Sequence, residues 1–93
     1  MPYAVDFKPS ARRDLKALPK GIQRIVLQHI ESLAVDLRPP WAGVAKGELR
    51  DLWKFRVDDS RVAYRIEDDR LVVLVVAVGD RKEIYRRLLR MKG

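Results

Sequence analysis

The chain opens on a two-residue alternation. Tyr3, Val5 and Phe7 alternate with Ala4 and Asp6, the period of a half-buried β-strand, and Pro9 and Ser10 stop it. From Ala11 the spacing changes. Ala11, Leu15 and Leu18 fall at i, i+4 and i+7 while Arg12, Arg13, Asp14 and Lys16 occupy the other face, which predicts a short amphipathic helix N-capped by Ser10. "LPKG" ends that helix. Ile22, Ile25, Val26, Ile30, Leu33 and Leu37 predict a second, longer one, and the four-residue break between them predicts an antiparallel helical hairpin.

Beyond the helices, "RPPWAGVAKG", residues 38–47, is too rich in proline and glycine for regular structure and reads as one long surface loop. In "LWKFRV", residues 52–57, Trp53, Phe55 and Val57 point one way and Leu52, Lys54 and Arg56 the other. "DDS" makes a tight turn, after which Val62, Tyr64 and Ile66 alternate with Arg61, Ala63 and Arg65. "EDDR" turns again into "LVVLVVAV", residues 71–78, whose apolar character on both faces marks the most central strand. Gly79 ends it, and a basic helical segment follows. The elements add up to one α+β domain over residues 1–93. A small antiparallel sheet, made of the N-terminal strand plus a three-strand meander, packs against the helical hairpin and is followed by a short C-terminal helix.

Charge narrows the choice of partners. Lys and Arg number 20 against 13 Asp and Glu, a formal charge of +7 on 93 residues, with the excess spread over both halves of the chain. A positive field over a small domain attracts polyanions, so nucleic acid, the ribosome, an acidic membrane or an acidic protein are candidates; the plain alternative is a solvated surface. There is no cysteine, hence no disulfide or thiolate metal site, which fits a reducing cytoplasm. The N-terminal "MPYAVDFKPS" carries no apolar run of signal-peptide length and no stretch approaches the ~20 apolar residues of a membrane span, so the expectation is a soluble, intracellular protein.

The cations are placed in a pattern. If the helical hairpin covers one face of the sheet, the other face displays Lys54, Arg56 and Arg61. Arg81 follows the central strand at the rim of that face, and Tyr85 lies one helical turn further on the same side. Four cations and one phenol then converge on a shallow concave surface. Otherwise they are ordinary solvent-side residues of a half-exposed sheet.

These residues also carry a resemblance. The arginine–valine pair, turn, arginine, two apolar residues and tyrosine of "FRVDDSRVAYRI", followed by "VGDRKEIY", look like the RelE/ParE superfamily of bacterial and archaeal toxins, over nearly the whole chain. The resemblance implies one of two activities. RelE-like members are ribosome-dependent endoribonucleases that cut mRNA, whereas ParE-like members poison DNA gyrase, and the shared fold does not choose between them. Lys54, Arg56, Arg61, Arg81 and Tyr85 match one by one the positions that resemble a RelE-like catalytic set. The turn departs from the family pattern, with Asp58, Asp59 and Ser60 where glycine, aspartate and tyrosine are usual. Lys54 and Arg56 stand where some members have two lysines. The resemblance further implies a cognate antitoxin whose disordered segment folds over the basic face.

To cleave RNA without a metal, an enzyme must deprotonate a 2′-hydroxyl, stabilise a phosphorane and protonate the departing 5′-oxygen. The single histidine, His29, lies on the apolar side of the second helix and reads as packing or a surface hydrogen bond, so a histidine-pair ribonuclease is excluded. Asp58, Asp59, Asp68 and Asp69 sit where turns favour aspartate rather than in a metal-binding cluster. Cations remain. Arg61 and Arg81 suit gripping phosphate oxygens but are poor bases, which leaves Tyr85 as first choice for general base and Lys54 as its competitor. No cofactor or metal is called for.

Lys46, Arg65, Lys82, Arg86, Arg87 and Arg90 are expected to contact RNA or the ribosome. The run from Arg81 to Gly93 holds six basic residues and one acidic, with Leu88 and Leu89 adding apolar surface for rRNA or an antitoxin helix. Trp53, Phe55 and Tyr64 read as core, and Trp41 as either a contact to the ribosome or an antitoxin or a loop side chain tucked onto the domain. A gyrase inhibitor and a catalytically silent RNA- or antitoxin-binding module stay open beside the nuclease.

Overall fold

A computed structural model of the chain describes residues 2–45 and 51–92. Strand β1 (Ala4–Phe7) leads directly into α1 (Pro9–Lys16) and α2 (Lys20–Ser32); then come β2 (Gly43–Val44), β3 (Trp53–Val57), β4 (Ser60–Glu67), β5 (Val72–Gly79) and α3 (Arg81–Lys92). The sheet is mostly antiparallel, in the order β1-β5-β4-β3-β2. The α+β architecture is the one that the pattern of apolar positions predicts.

Several details differ from the sequence expectation, each for a physical reason. The first helix begins at Pro9 rather than after a Ser10 cap. Proline at the first helical position has no N–H to leave unbonded and a backbone angle already suited to the helix, and Lys8 in the cap position makes no side-chain cap. The second helix stops at Ser32, five residues short of Leu37. Leu37 still packs on the core, and its carbonyl accepts a 2.9 Å hydrogen bond from the Tyr64 hydroxyl. Within the expected loop 38–47, Gly43 and Val44 pair with Lys54 and Trp53 to form a two-residue edge strand.

The N-terminal strand pairs in parallel with β5, Ala4 to Val72 through Phe7 to Val75. The helical hairpin explains this. It returns the chain to the end where β1 began, shown by the Tyr3 N–H donating to the Ala34 carbonyl at 2.9 Å. An up-down-up meander starting from that end must finish pointing the same way as β1.

The core has two layers, one on each face of the sheet. Ala11 and Leu15 of α1 and Val26 and Ile30 of α2 pack with Leu33 against Phe55, Val57, Val62, Tyr64, Val73, Val75 and Val78. Each large side chain fully withdrawn there contributes about 1.5–3 kcal/mol. On the other face, Ile84 and Leu88 of α3 pack against Ala63, Val76 and Ala77, with Ala45 and Leu52 alongside. This second layer is why β5 is apolar on both sides. Between Ala63 and Tyr64 the register slips by one residue, Ala63 facing Ala77 while Tyr64 faces Val75. The bulge sends the consecutive residues Val76 and Ala77 to the α3 side and resets the alternation. Among the described residues, no helix is long and apolar enough to cross a membrane.

Candidate active site

Asp80 fixes where α3 starts. Its Oδ1 accepts the Glu83 backbone N–H at 2.8 Å and its carbonyl accepts that of Ile84 at 2.9 Å, an N-cap one residue after the end of β5. Arg81 is therefore the first residue of a helix anchored to the sheet by Ile84 and Leu88. At helical spacing Arg81, Ile84, Tyr85 and Leu88 share one side, so the apolar anchor that docks α3 also aims Arg81 and Tyr85 at the sheet. From the sheet come Lys54 on β3 and Arg61 on β4. Arg61 pairs across the ladder with Gly79, the last residue before the cap.

The result is a cavity of about 240 Å³ lined by Lys54, Arg61, Arg81 and Tyr85 over a floor of Ala45, Ile84 and Leu88. None of the described residues lining it is acidic. Its neighbour, a notch of about 230 Å³ at the sheet edge, is lined by Trp41, Gly43, Phe55 and Arg56 and shares Lys54 and Arg61 as its wall. Four of the five residues singled out from sequence thus meet in one cavity, and Arg56 stands beside it.

Among the described residues, Lys54, Arg56, Arg61 and Arg81 take part in no ion pair; the ion pairs there are Arg70–Glu67, Arg86–Glu83, Arg87–Asp14 and Arg87–Glu83. Clustered cations without counter-charges repel one another and present a positive concavity to an anion. The cavity's contents suit one kind of chemistry. Fixed positive charge can stabilise a phosphoryl group gaining charge, Arg61 and Arg81 by hydrogen-bonded forks, with a phenol and an amine placed to move protons. Tyr85 is half-exposed, open to a substrate from outside.

The other expected RNA contacts divide. Lys82, Arg86 and Arg90 are exposed on α3, whereas Arg65 is half-buried on β4 beside Leu74. Arg87 is engaged inside the molecule: Nη1 lies 3.0 Å from Asp14 Oδ2 and Nη2 donates to Asp14 Oδ1 at 3.2 Å, tying α3 to α1. A free docking cation is therefore not what Arg87 is. Sequence spacing could not show this, since its partner lies 73 residues away. Lys46 lies outside the described residues.

His29 is a packing residue. Its Nδ1–H donates to the Ile25 carbonyl at 2.9 Å and its ring stacks on Phe55 with centroids 5.7 Å apart. Two of the turn aspartates have structural roles. Asp68 accepts the Tyr3 hydroxyl at 2.6 Å, a bond that together with Asp68's charge holds the Tyr3 phenol above its ordinary pKa. Asp58 adopts a left-handed backbone, φ 54°, in the two-residue β3–β4 turn. That conformation suits glycine, and aspartate tolerates it better than most residues. Among the described residues, no three His, Asp or Glu side chains gather as a metal site.

Comparison with known proteins shows which family the fold belongs to. The chain matches the family model described as the ParE toxin of the type II toxin–antitoxin system, parDE, over residues 5–85. It is 38% identical over 90 residues to Toxin RelG of Mycobacterium tuberculosis, covering 94% of this chain and 100% of that protein. Among solved structures it is similar to the toxin–antitoxin complex RelBE2 of the same organism, with a TM-score of 0.75 at 30% identity over 87% of this chain and 100% of that one. A mutant of the Escherichia coli toxin RelE in the free state has the same fold, with a TM-score of 0.81 at 21% identity over 98% of each chain.

Proposed function

Because the chain belongs to the RelE/ParE superfamily of type II toxin–antitoxin toxins, we propose that its cationic cavity is the active site of a metal-independent, ribosome-dependent endoribonuclease that cleaves mRNA and halts translation. The observation that carries this reading is the convergence of Lys54, Arg61, Arg81 and Tyr85 on one cavity whose described lining holds no carboxylate. The set brings two groups able to move protons together with two guanidinium groups able to hold phosphate oxygens, the parts that metal-free RNA cleavage requires.

In the proposed reaction Tyr85, or Lys54 in its place, takes the proton from a substrate 2′-hydroxyl. The 2′-oxygen attacks the adjacent phosphorus and the bond to the 5′-oxygen of the next nucleotide breaks. Arg61 and Arg81 hold the phosphorane oxygens, with Arg56 adding positive potential from the edge. The departing 5′-oxygen takes up a proton, leaving a 5′-hydroxyl and a 2′,3′-cyclic phosphate that can open to a 3′-phosphate. The ribosome supplies alignment, holding the message in line for attack and converting a slow encounter into an oriented one. Lys82, Arg86 and Arg90 on the exposed side of α3, and Arg65 and Lys46, contact RNA. The site of action is the cytoplasm.

Several of the similar structures are toxin–antitoxin complexes, among them RelBE2 of M. tuberculosis and RelBE of E. coli. By extension a cognate antitoxin is the second partner of this chain, neutralising the basic face by covering it.

The experiment is to incubate the protein with translating ribosomes and map mRNA ends. Cuts with the termini above are expected, and a message carrying a single 2′-methoxy group at the cut nucleotide should stay intact there; cleavage at that blocked nucleotide would sink the mechanism. The matched family model, named for the ParE toxin, favours a second reading, a DNA gyrase inhibitor. Trapped gyrase–DNA cleavage complexes with intact mRNA would select it.

A further inference from the structure

The notch next to the cavity exists because β2 is short. Gly43 and Val44 pair only with Lys54 and Trp53, so the outer edge of β3 from Phe55 to Val57 runs on beyond β2. Trp41, two residues before β2, hangs over that open edge. Its ring stands nearly perpendicular to Phe55, centroids 5.1 Å apart at 80°, and to His29, 4.7 Å apart at 75°. His29 and Phe55 are themselves stacked, and His29 is pinned by its bond to the Ile25 carbonyl. The indole is thus braced by two rings whose own positions are fixed, yet 43% of Trp41 remains exposed. Here the aromatic surface is both held rigid and left open at the mouth of a notch of about 230 Å³, whose far wall is Lys54, Arg56 and Arg61.

That combination is a binding geometry of known kind. Single-stranded nucleic acid is held where cations track the backbone and a rigid aromatic face stacks a base, each stacked base contributing through its π-face whatever its identity. Gly43 adds no side chain to the notch. Lys54 and Arg61 belong to both the notch and the cavity, so a phosphate held between them has one flanking nucleotide on the Trp41 side.

We propose that the Trp41 notch is a nucleobase-stacking subsite: the base flanking the scissile phosphate packs on the Trp41 indole while its phosphate is held at the Lys54–Arg61 wall. Trp41 is then a substrate-positioning residue, fixed through Phe55 and His29. The inference rests on the nuclease reading for the identity of the strand but not for the stacking itself, and the two are tested separately.

The probe is a short single-stranded RNA made uncleavable by 2′-methoxy groups, compared with the same RNA carrying one abasic position. Trp41 and Trp53 are the two tryptophans of the chain, so a Trp53→Phe protein reports Trp41 fluorescence alone. The intact RNA should quench that emission and bind about tenfold more tightly than its tightest abasic counterpart, scanned along the strand, the scale of one stacked base given up. Trp41→Ala should abolish the difference between the two RNAs, Trp41→Phe should restore most of it, and the salt dependence should change little because phosphate contacts are untouched. In ribosome assays Trp41→Ala should raise the half-saturating concentration more than it lowers the saturated single-turnover rate. Equal affinity for intact and abasic RNA would overturn the proposal, as would an equal loss for both in Trp41→Ala. If mRNA is cut normally by Trp41→Ala at every concentration, the stacking subsite falls and the nuclease stands. If no message is cut but base-dependent quenching persists, the nuclease falls and the subsite stands.

Discussion

Arg56 and Arg61 stand directly opposite each other across the β3–β4 ladder, one residue pair from the turn. Directly opposed residues on antiparallel strands send their side chains to the same face, so two guanidinium groups are held side by side, with no ion-pair partner among the described residues. Like charges in that position destabilise a sheet. Arg56→Thr, a good strand residue, should therefore raise the unfolding free energy by about 0.2–1 kcal/mol while weakening RNA binding or cleavage. Urea unfolding alongside the cleavage assay checks both halves, and a variant that loses stability would show that Arg56 serves packing rather than anion binding.

The Asp80 cap gives a second expectation. Asp80→Ala should lower stability by about 1 kcal/mol and reduce activity as well, because the first turn it holds carries Arg81. Asp80→Ser, which can still accept the Glu83 N–H, should recover both. If Ala and Ser variants have equal activity, the first turn is held by the Ile84 and Leu88 packing alone.

Much of this could be read from residue spacing, and the failures have physical causes. The stripes of Ala11–Leu15 and Val26–Ile30 mark the inner faces of α1 and α2 because burial follows helical periodicity. Arg81 and Tyr85 share a side because four residues make about one turn. The parallel pairing of β1 with β5 is invisible in either strand, since it follows from where the helical hairpin returns the chain. The Gly43–Val44 strand hides in a proline- and glycine-rich segment because two residues carry no periodicity. Arg87 looks like any other arginine of a basic helix until the fold brings Asp14 to it. One local signal was available: aspartate followed three residues later by glutamate, Asp80 and Glu83, is the pattern of a helix N-terminus.

Tyr64 links the core to alkaline pH. Full burial pushes its phenol up to about 12 from an ordinary value of 10, and its hydroxyl donates to the Leu37 carbonyl. The folded protein therefore holds this proton after the unfolded chain has released it. The stabilising effect is complete below about pH 10 and is lost as pH rises from there toward 12. Tyr64→Phe should be less stable than the parent at pH 8 by about 1 kcal/mol, through the orphaned Leu37 carbonyl. Its stability should also fall less steeply over the alkaline range. Parallel slopes for the two proteins in thermal melts from pH 9 to 12 would contradict the assignment.

Single-turnover cleavage of a ribosome-bound message at saturating ribosome tests the active-site assignment most directly. Arg81→Ala and Tyr85→Phe are compared there with Arg90→Ala, which removes a charge from the exposed side of the same helix. Arg81→Ala should slow the chemical step by about 10²–10³, the scale for losing one donor to a developing oxyanion. Tyr85→Phe, which removes only the ionisable oxygen, should slow it comparably without loss of folding. Arg90→Ala should change binding and its salt dependence and leave the saturated rate near that of the parent. If all three variants behave alike, with every defect disappearing at saturation, the cavity is an electrostatic docking surface and not a catalytic site.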